Sequence, residues 1–344
     1  MRAFQVLWTT PLSIRTLGGH RIEAPPDDPE EMFSGYYLLT MILSALQWKR
    51  LHSGTLKLYG DAKVIDYLSK FGLLDLWDEH DLETFAGLGE EIDSSCFTSA
   101  GKYYAFLKEP APCAMVDLDL IVWRGLAPLL EGRVAAFTHW EETQPPSYWY
   151  GTKEELKTPP GYEFRDSWDW GLMAANTSFV YFADEGLKNY YASEVIRFMV
   201  DNEVGDGFHL IKPELLIEQR LLPMVIKERG LADRAGPLID AVWSAAEGRF
   251  TRHDARFGEW QFYRLDNQPL LTHLWIAKQN MEKNQSYLNY YCYRLLDAIL
   301  SNAPRLEAKL RRIGSLREHL ARYELGLDDE RNRGQFSTEL FPAG

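Results

Sequence analysis

Two aspartates one residue apart, Asp117-Leu118-Asp119, follow a short apolar run, Cys113-Ala114-Met115-Val116. The run reads as a buried strand, and in extended chain residues i and i+2 point to the same side. Both carboxylates can then approach one cation. Two ionised carboxylates on one face repel each other and are costly to desolvate, so they call for a counter-charge. Hard cations such as Mg²⁺ or Mn²⁺ take oxygen ligands and fill their remaining positions with water or phosphate. An ion held there neutralises a diphosphate leaving group as a glycosidic bond breaks. The plainer alternative is a turn that begins with two aspartates, and for an isolated Asp-x-Asp it is the commoner case. The surroundings weigh against it, because Ile121-Val122-Trp123 resumes the apolar run after the pair.

The elements that must position this pair alternate between strand and helix. Phe4–Trp8 reads as a first strand and Thr9–Asp28, with three prolines and two glycines, as a loop. The segment 30–51 reads as a helix opened by acidic residues and closed by Lys49 and Arg50. Thr55–Tyr59 alternates as a second strand. Asp61 can cap a helix carrying Val64, Ile65, Leu68 and Phe71, stopped at Gly72. A short helix, Ser99–Leu107, precedes the apolar run and its aspartates. Beyond it come strands at Val134–Thr138, Ser178–Phe182 and Leu270–Leu274, and helices at Asp184–Met199 and Pro213–Arg229. Such alternation implies a mostly parallel sheet with helices on both faces, whose ligands sit beyond the carboxyl ends of the strands. Two further helical segments, Gln279–Leu300 and Arg305–Leu325, extend the chain. The expected organisation is therefore 1–279 as the catalytic α/β unit, 280–327 as a helical segment and 328–344 as a polar tail.

Composition narrows the function classes. The chain has 344 residues, of which 46% are hydrophobic and 25% charged, enough to bury a sizeable core. Its 37 Lys and Arg against 50 Asp and Glu leave a formal charge of −13, which repels nucleic acid and anionic lipid at long range. Three scattered cysteines, Cys96, Cys113 and Cys292, make neither a disulfide framework nor a zinc site. No run of about 18 uncharged apolar residues appears, so no membrane span is expected. A reduced, cytoplasmic setting follows.

The segments Ser99-Ala-Gly-Lys102-Tyr-Tyr-Ala-Phe-Leu and Met115-Val-Asp-Leu-Asp-Leu-Ile-Val-Trp resemble the GT-A glycosyltransferases, especially bacterial relatives of glycogenin-like and capsular-polysaccharide types. The resemblance implies an α/β, GT-A (Rossmann-like) fold with a C-terminal helical extension. It implies Mn²⁺ or Mg²⁺ at Asp117 and Asp119, and a nucleotide-sugar donor, expected to be a UDP-sugar. The acceptor, whether glycan, small molecule or protein, stays open. Lys102 stands where the family has a basic residue facing the donor diphosphate, although an ordinary exposed helical lysine is as good a reading. Trp170-Gly-Leu-Met-Ala-Ala-Asn176 resembles the Asn-containing segment that lines the sugar pocket, with Ser178 where glycine is frequent. Glu218-Gln219 resembles an acidic pair near the acceptor. Leu271-Thr-His273-Leu-Trp-Ile-Ala-Lys278 resembles the C-terminal stretch whose His completes the metal site and whose Lys contacts phosphate, one residue short of the usual spacing. The first strand and its turn, Trp8, Thr9 and Thr10, would then hold the nucleotide, with Asp61 beside them unless it serves only as a helix cap.

An inverting reaction also needs a carboxylate base for the acceptor hydroxyl. Asp166 and Asp169 are the candidates, because Trp168 and Trp170 beside them offer a platform for sugar rings. Two rival readings remain: a haloacid-dehalogenase-like phosphatase built on the same Asp-x-Asp, and a GT-A-like binding module without turnover.

Overall fold

The computed structural model describes residues 1–9, 14–17, 20–23, 32–143, 149–202, 211–252, 270–274, 281 and 283–327. In chain order the strands are β1 (Arg2–Leu7), β2 (Ile14–Leu17), β3 (His20–Glu23), β4 (Leu56–Gly60), β5 (Glu79–Asp81), β6 (Cys113–Val116), β7 (Leu120–Val122) and β8 (Ala135–Phe137), then β9 (Trp140–Glu141), β10 (Ala174–Ala175), β11 (Phe179–Phe182), β12 (Ala235–Pro237), β13 (Val242–Ser244), β14 (Arg249–Arg252) and β15 (Leu271–His273). The helices are α1 (Gly35–Leu51), α2 (Ala62–Lys70), α3 (Leu88–Glu91), α4 (Ala100–Lys108), α5 (Ala127–Leu130), α6 (Glu185–Met199), α7 (Ile211–Leu215) and α8 (Leu221–Glu228), followed by α9 (Gln285–Asn302), α10 (Glu307–Leu310) and α11 (Arg317–Glu324).

A seven-stranded sheet runs in the order β12-β8-β11-β6-β1-β4-β5. The block β6-β1-β4-β5 is parallel, as is the pair β8-β12, while β11 runs antiparallel to both its neighbours. This is the mostly parallel α/β sheet that the sequence pattern predicts. Both faces are covered, as the alternation along β1 shows. Ala3 and Leu7 join an apolar cluster with α1, α2 and α9, while Phe4 joins a second cluster with α4, α6 and α8. A second sheet, β10-β9-β13-β14, lies outside the expected strands.

Several boundaries differ from the sequence pattern. The first long helix begins at Gly35, with Ser34 as N-cap and no acid in its first turn; Glu30 and Glu31 lie outside the described residues. The segment expected as one helix over 305–325 is broken. α10 stops after one turn, and a 3₁₀ turn over Gly314–Leu316 intervenes before α11. The break falls at Ile313, whose backbone is extended, and Gly314, a poor helix former, while Leu310, Ile313, Leu316 and Leu320 stay buried across it. Two basic residues of this region are used for docking. Lys309 bonds the Gly72 carbonyl and pairs with Asp75 at 2.9 Å, and Arg312 donates to the Lys70 carbonyl at 2.8 Å. Both grip the C-terminal end of α2, where exposed carbonyls favour positive charge. No helix among the described residues is long and apolar enough to cross a membrane, and the three cysteines are buried and form no disulfide among the described residues.

Beneath the aspartate turn runs a buried polar chain. Trp77 Nε1 donates to Gln5 Oε1 at 2.9 Å, Gln5 Nε2 donates to Ser44 Oγ at 2.9 Å, and Ser44 Oγ donates to the Leu120 carbonyl at 2.5 Å. Ser44 thus ties α1 to the residue after Asp119. Replacing it with alanine strands a buried amide and a buried carbonyl. Ser44→Ala is expected to lower stability by about 1–3 kcal/mol in urea unfolding; an unchanged midpoint would show that the chain contributes nothing.

Candidate metal and donor site

β6 ends at Val116, and Asp117 keeps one more rung, its N–H donating to the Ser178 carbonyl at 2.8 Å. The chain then turns, closed by the Leu120 N–H donating to the Asp117 carbonyl at 3.1 Å. The two aspartates therefore sit on a tight turn and not on extended strand. Turn geometry, rather than the strand pleat, brings their carboxylates to one side.

The same turn recruits the histidine. β7 pairs antiparallel with β15, with Leu120 opposite His273, and the Leu274 N–H donates to the Asp119 carbonyl at 3.0 Å. His273 Nε2 lies 3.6 Å from Asp119 Oδ1. One ligand atom from each of Asp117, Asp119 and His273 falls within 4.8 Å of the others. Asp119 and His273 are each 6% exposed. Burial pushes the Asp117 carboxyl up to about 7, with the neighbouring Asp119 and Glu218 charges adding to the rise and Lys102 opposing it.

Lys102 projects from α4 and supplies the missing positive charge. Its Nζ lies 2.8 Å from Asp117 Oδ1 and 2.5 Å from Glu218 Oε1. Burial works against the ammonium, but the two carboxylates outweigh it and hold the group protonated. The lysine is thus a half-buried bridge between two acids and not an exposed helical residue.

Glu218 lies in a π-helical turn, Leu216–Arg220, between α7 and α8. Such turns loosen the regular backbone ladder and recur at functional sites. Here the Ile217 carbonyl accepts from the hydroxyls of Tyr103 and Tyr191, both at 3.0 Å. Three consecutive side chains then reach four partners. Glu218 meets Lys102, Gln219 meets Tyr150, and Arg220 donates to the carbonyls of Gly151 and Trp170, both at 2.6 Å. One turn earlier, Glu214 Oε1 accepts from the Thr98 hydroxyl and the Ser99 N–H, both at 2.8 Å.

Asn176 is buried on the same side, donating to Glu141 Oε1 at 2.7 Å and accepting from the Ser178 hydroxyl at 2.7 Å. Glu141 also accepts from the Tyr150 hydroxyl at 2.5 Å. Burial raises the Glu141 carboxyl and the bonds from Tyr150 and Asn176 oppose the rise. His139 is buried near both Glu141 and His273, and burial first, then the His273 charge, keep its ring neutral. Glu141, Tyr150 and His139 escape the sequence reading, although His139-Trp140-Glu141 directly follows a strand exit, where ligands gather.

The remaining expected residues fare unevenly. Thr9 donates to Asp61 Oδ2 from both its N–H and its hydroxyl, each at 2.6 Å, while Asp61 Oδ1 caps α2 through the Val64 N–H at 3.1 Å. Asp61 is therefore a cap that also fixes the exit of β1. Trp8 is 6% exposed and packs beside Phe85, so its ring belongs to the core and offers no open face for a base. Thr10 and Lys278 lie outside the described residues. Asp169 pairs with Lys227 at 2.6 Å and accepts from the Gly171 N–H at 2.8 Å, which lower its pKa and make it a weaker base. Asp166 is exposed. Among the described residues it is Glu218 and Glu141, rather than these two aspartates, that hydrogen bonds join to the site.

No family model matches the chain, and no curated protein matches it in sequence. Among solved structures it is similar to mouse xyloside xylosyltransferase 1 in its apo form, with 12% identity and a TM-score of 0.32 over 66% of this chain and 82% of that one. It is also similar to the galactosyltransferase LgtC, solved with donor and acceptor sugar analogs, with 9% identity and a TM-score of 0.28 over 61% of this chain and 69% of that one. Likeness this shallow carries no weight by itself, and the reading of the site rests on its own geometry.

Burial pushes the Glu214 carboxyl up to about 8 from 4.5, with Glu218 adding like charge. An acid whose pKa rises on folding binds more protons in the folded state, so stability is lost as pH climbs from 4.5 through about 8. Urea unfolding across that window, in chelator, is expected to show this decline, with a shallower one in Glu214→Gln. Equal slopes in the two proteins would contradict the assignment.

Proposed function

We propose that this chain is a metal-dependent glycosyltransferase of the GT-A type, which moves a sugar from a nucleoside-diphosphate donor, a UDP-sugar, to a hydroxyl acceptor. The observation that carries the proposal is the convergence of Asp117, Asp119 and His273 at the exit of a parallel strand, with Lys102 against Asp117. Two carboxylates and an imidazole within reach of one centre suit a divalent cation of the Mn²⁺ or Mg²⁺ kind, and the nitrogen ligand weighs toward Mn²⁺. Bound there, the ion would offset the charge that develops on a departing diphosphate.

The protein's own groups supply the rest. Lys102 is anchored by Glu218 and presents an ammonium beside Asp117, where phosphate oxygens would be drawn. Thr9, fixed by Asp61 at the end of β1, stands on the nucleotide side. Asn176, Glu141 and Tyr150 form a bonded wall with carboxylate, amide and hydroxyl groups that suits sugar hydroxyls. Glu141, its pKa raised by burial, replaces Asp166 and Asp169 as the carboxylate to test for proton transfer from the acceptor.

A panel of nucleotide sugars with Mn²⁺ or Mg²⁺, scored for nucleoside diphosphate release, tests this reading. Release is expected to need the metal and to fall about 100-fold or more in Asp119→Ala, at or beyond the cost of losing an outer-shell partner at a metal site. Release that survives chelation would overturn the metal role. Phosphate release from a phosphomonoester, without nucleotide-sugar turnover, would favour the phosphatase alternative.

A further inference from the structure

A cavity of about 230 Å³ is lined by Tyr150, Thr152, Lys153, Glu154, Trp170 and Arg220, with Thr143 and Gly151 completing its wall. We infer that this cavity is the subsite for one neutral sugar ring of the acceptor. The inference rests on the glycosyltransferase reading above and adds the class of acceptor and the residues that receive it.

Four observations support it. First, the cavity is built and not incidental. Arg220 is 5% exposed, and its two terminal nitrogens hold the Gly151 and Trp170 carbonyls, so one side chain from the π turn staples both walls in place. Its guanidinium also sits 5.0 Å from the Trp170 ring centre. Second, the cavity is connected to the site. Tyr150 lines it, and the Tyr150 hydroxyl bonds Glu141 and Gln219, the neighbour of the glutamate that holds Lys102.

Third, the lining matches a pyranose. Trp170 is half-buried and gives aromatic surface for apolar C–H faces, while Thr143, Thr152, Lys153 and Glu154 give polar groups for hydroxyls. The volume is below the roughly 300–1,000 Å³ of pockets for drug-sized ligands, which leaves room for one ring. Fourth, the charges argue against an anion. A carboxylate or phosphate is best held by the paired N–H groups of an arginine fork. Each terminal nitrogen of Arg220 already holds a carbonyl, and although three of its five N–H groups remain, the 5% exposure of the side chain leaves little of the fork open to a ligand. Lys153 is offset by Glu154 beside it.

Trp170 thereby keeps the role of sugar platform that the sequence suggests for Trp168 and Trp170 together. Trp168 is buried and donates to Glu228 at 3.2 Å, away from this cavity.

Saturation-transfer NMR on the full chain with UDP and diamagnetic Mg²⁺ in place of Mn²⁺ tests the subsite, with the methyl glycosides of neutral hexoses and pentoses and of glucuronic acid as probes. Trp170→Leu keeps the wall apolar and Trp170→Tyr keeps it aromatic, so a loss caused by misfolding is separated from loss of the ring. Neutral glycosides are expected to bind, about tenfold more weakly to Trp170→Leu and within about threefold of wild type in Trp170→Tyr. UDP and Mg²⁺ affinity should stay unchanged in both. Glycoside binding without UDP binding would sink the donor reading and leave the subsite standing. The subsite is overturned if UDP and Mg²⁺ bind but no neutral glycoside does, if Trp170→Leu binds as wild type does, or if the glucuronide is preferred.

Discussion

Two carboxylates crowded onto one tight turn, mostly out of water, cannot both stay ionised without positive charge beside them. Asp117 and Asp119 are in that position, and much of the surrounding structure answers the need. Lys102 reaches Asp117 from α4. Glu218 holds Lys102 from the other side, so that the lysine stays at the site whichever oxygens Asp117 offers. His273 arrives through the β7–β15 pairing and adds a nitrogen where a third ligand would stand. Removing either aspartate would leave Lys102 or His273 facing a site whose charge no longer balances.

The turn itself is supported from below. Ser44 fixes the Leu120 carbonyl, and Gln5 and Trp77 extend that support to β1 and beyond. α1, which carries Ser44, shares its apolar cluster with Tyr287, Tyr291 and Leu295 of α9 and with Leu310 and Leu316 further on. The C-terminal helices therefore belong to the same packed body as the strand exits. Lys309 and Arg312 pin them to the end of α2. The support is also asymmetric: α1 and α9 brace the aspartate turn, while α4 and the π turn deliver the groups that meet it.

Much of the fold was legible because it is written in local pattern. Apolar runs ending at Val116 and Phe182, the cap at Asp61 and the helix at 184–199 all follow from short-range residue choice. The site was legible where a motif is short and contiguous, as with Asp117 and Asp119, or where a resemblance covers it, as with Lys102 and His273. What stayed hidden depends on contacts between distant segments. β9 has two residues and no periodicity of its own, so Glu141 became visible only when pairing with β10 placed it beside Asn176. The π turn carries no mark in the sequence, and it decides where Glu218, Gln219 and Arg220 point. Asp169 looked suited to catalysis beside its tryptophans, yet Lys227, distant in sequence, takes its charge. Trp8 shows the same limit in reverse: an aromatic at a strand exit looks available until the packing of Phe85 closes over it.

The most direct test is a crystal of the full chain grown with Mn²⁺ and UDP, with the manganese located by its anomalous scattering. The account predicts one strong peak bonded to Asp117, Asp119 and His273, with diphosphate oxygens completing its shell and the Lys102 ammonium on phosphate. Manganese absent from that cluster, or bound elsewhere while Lys102 keeps its bond to Asp117 with UDP present, would contradict it.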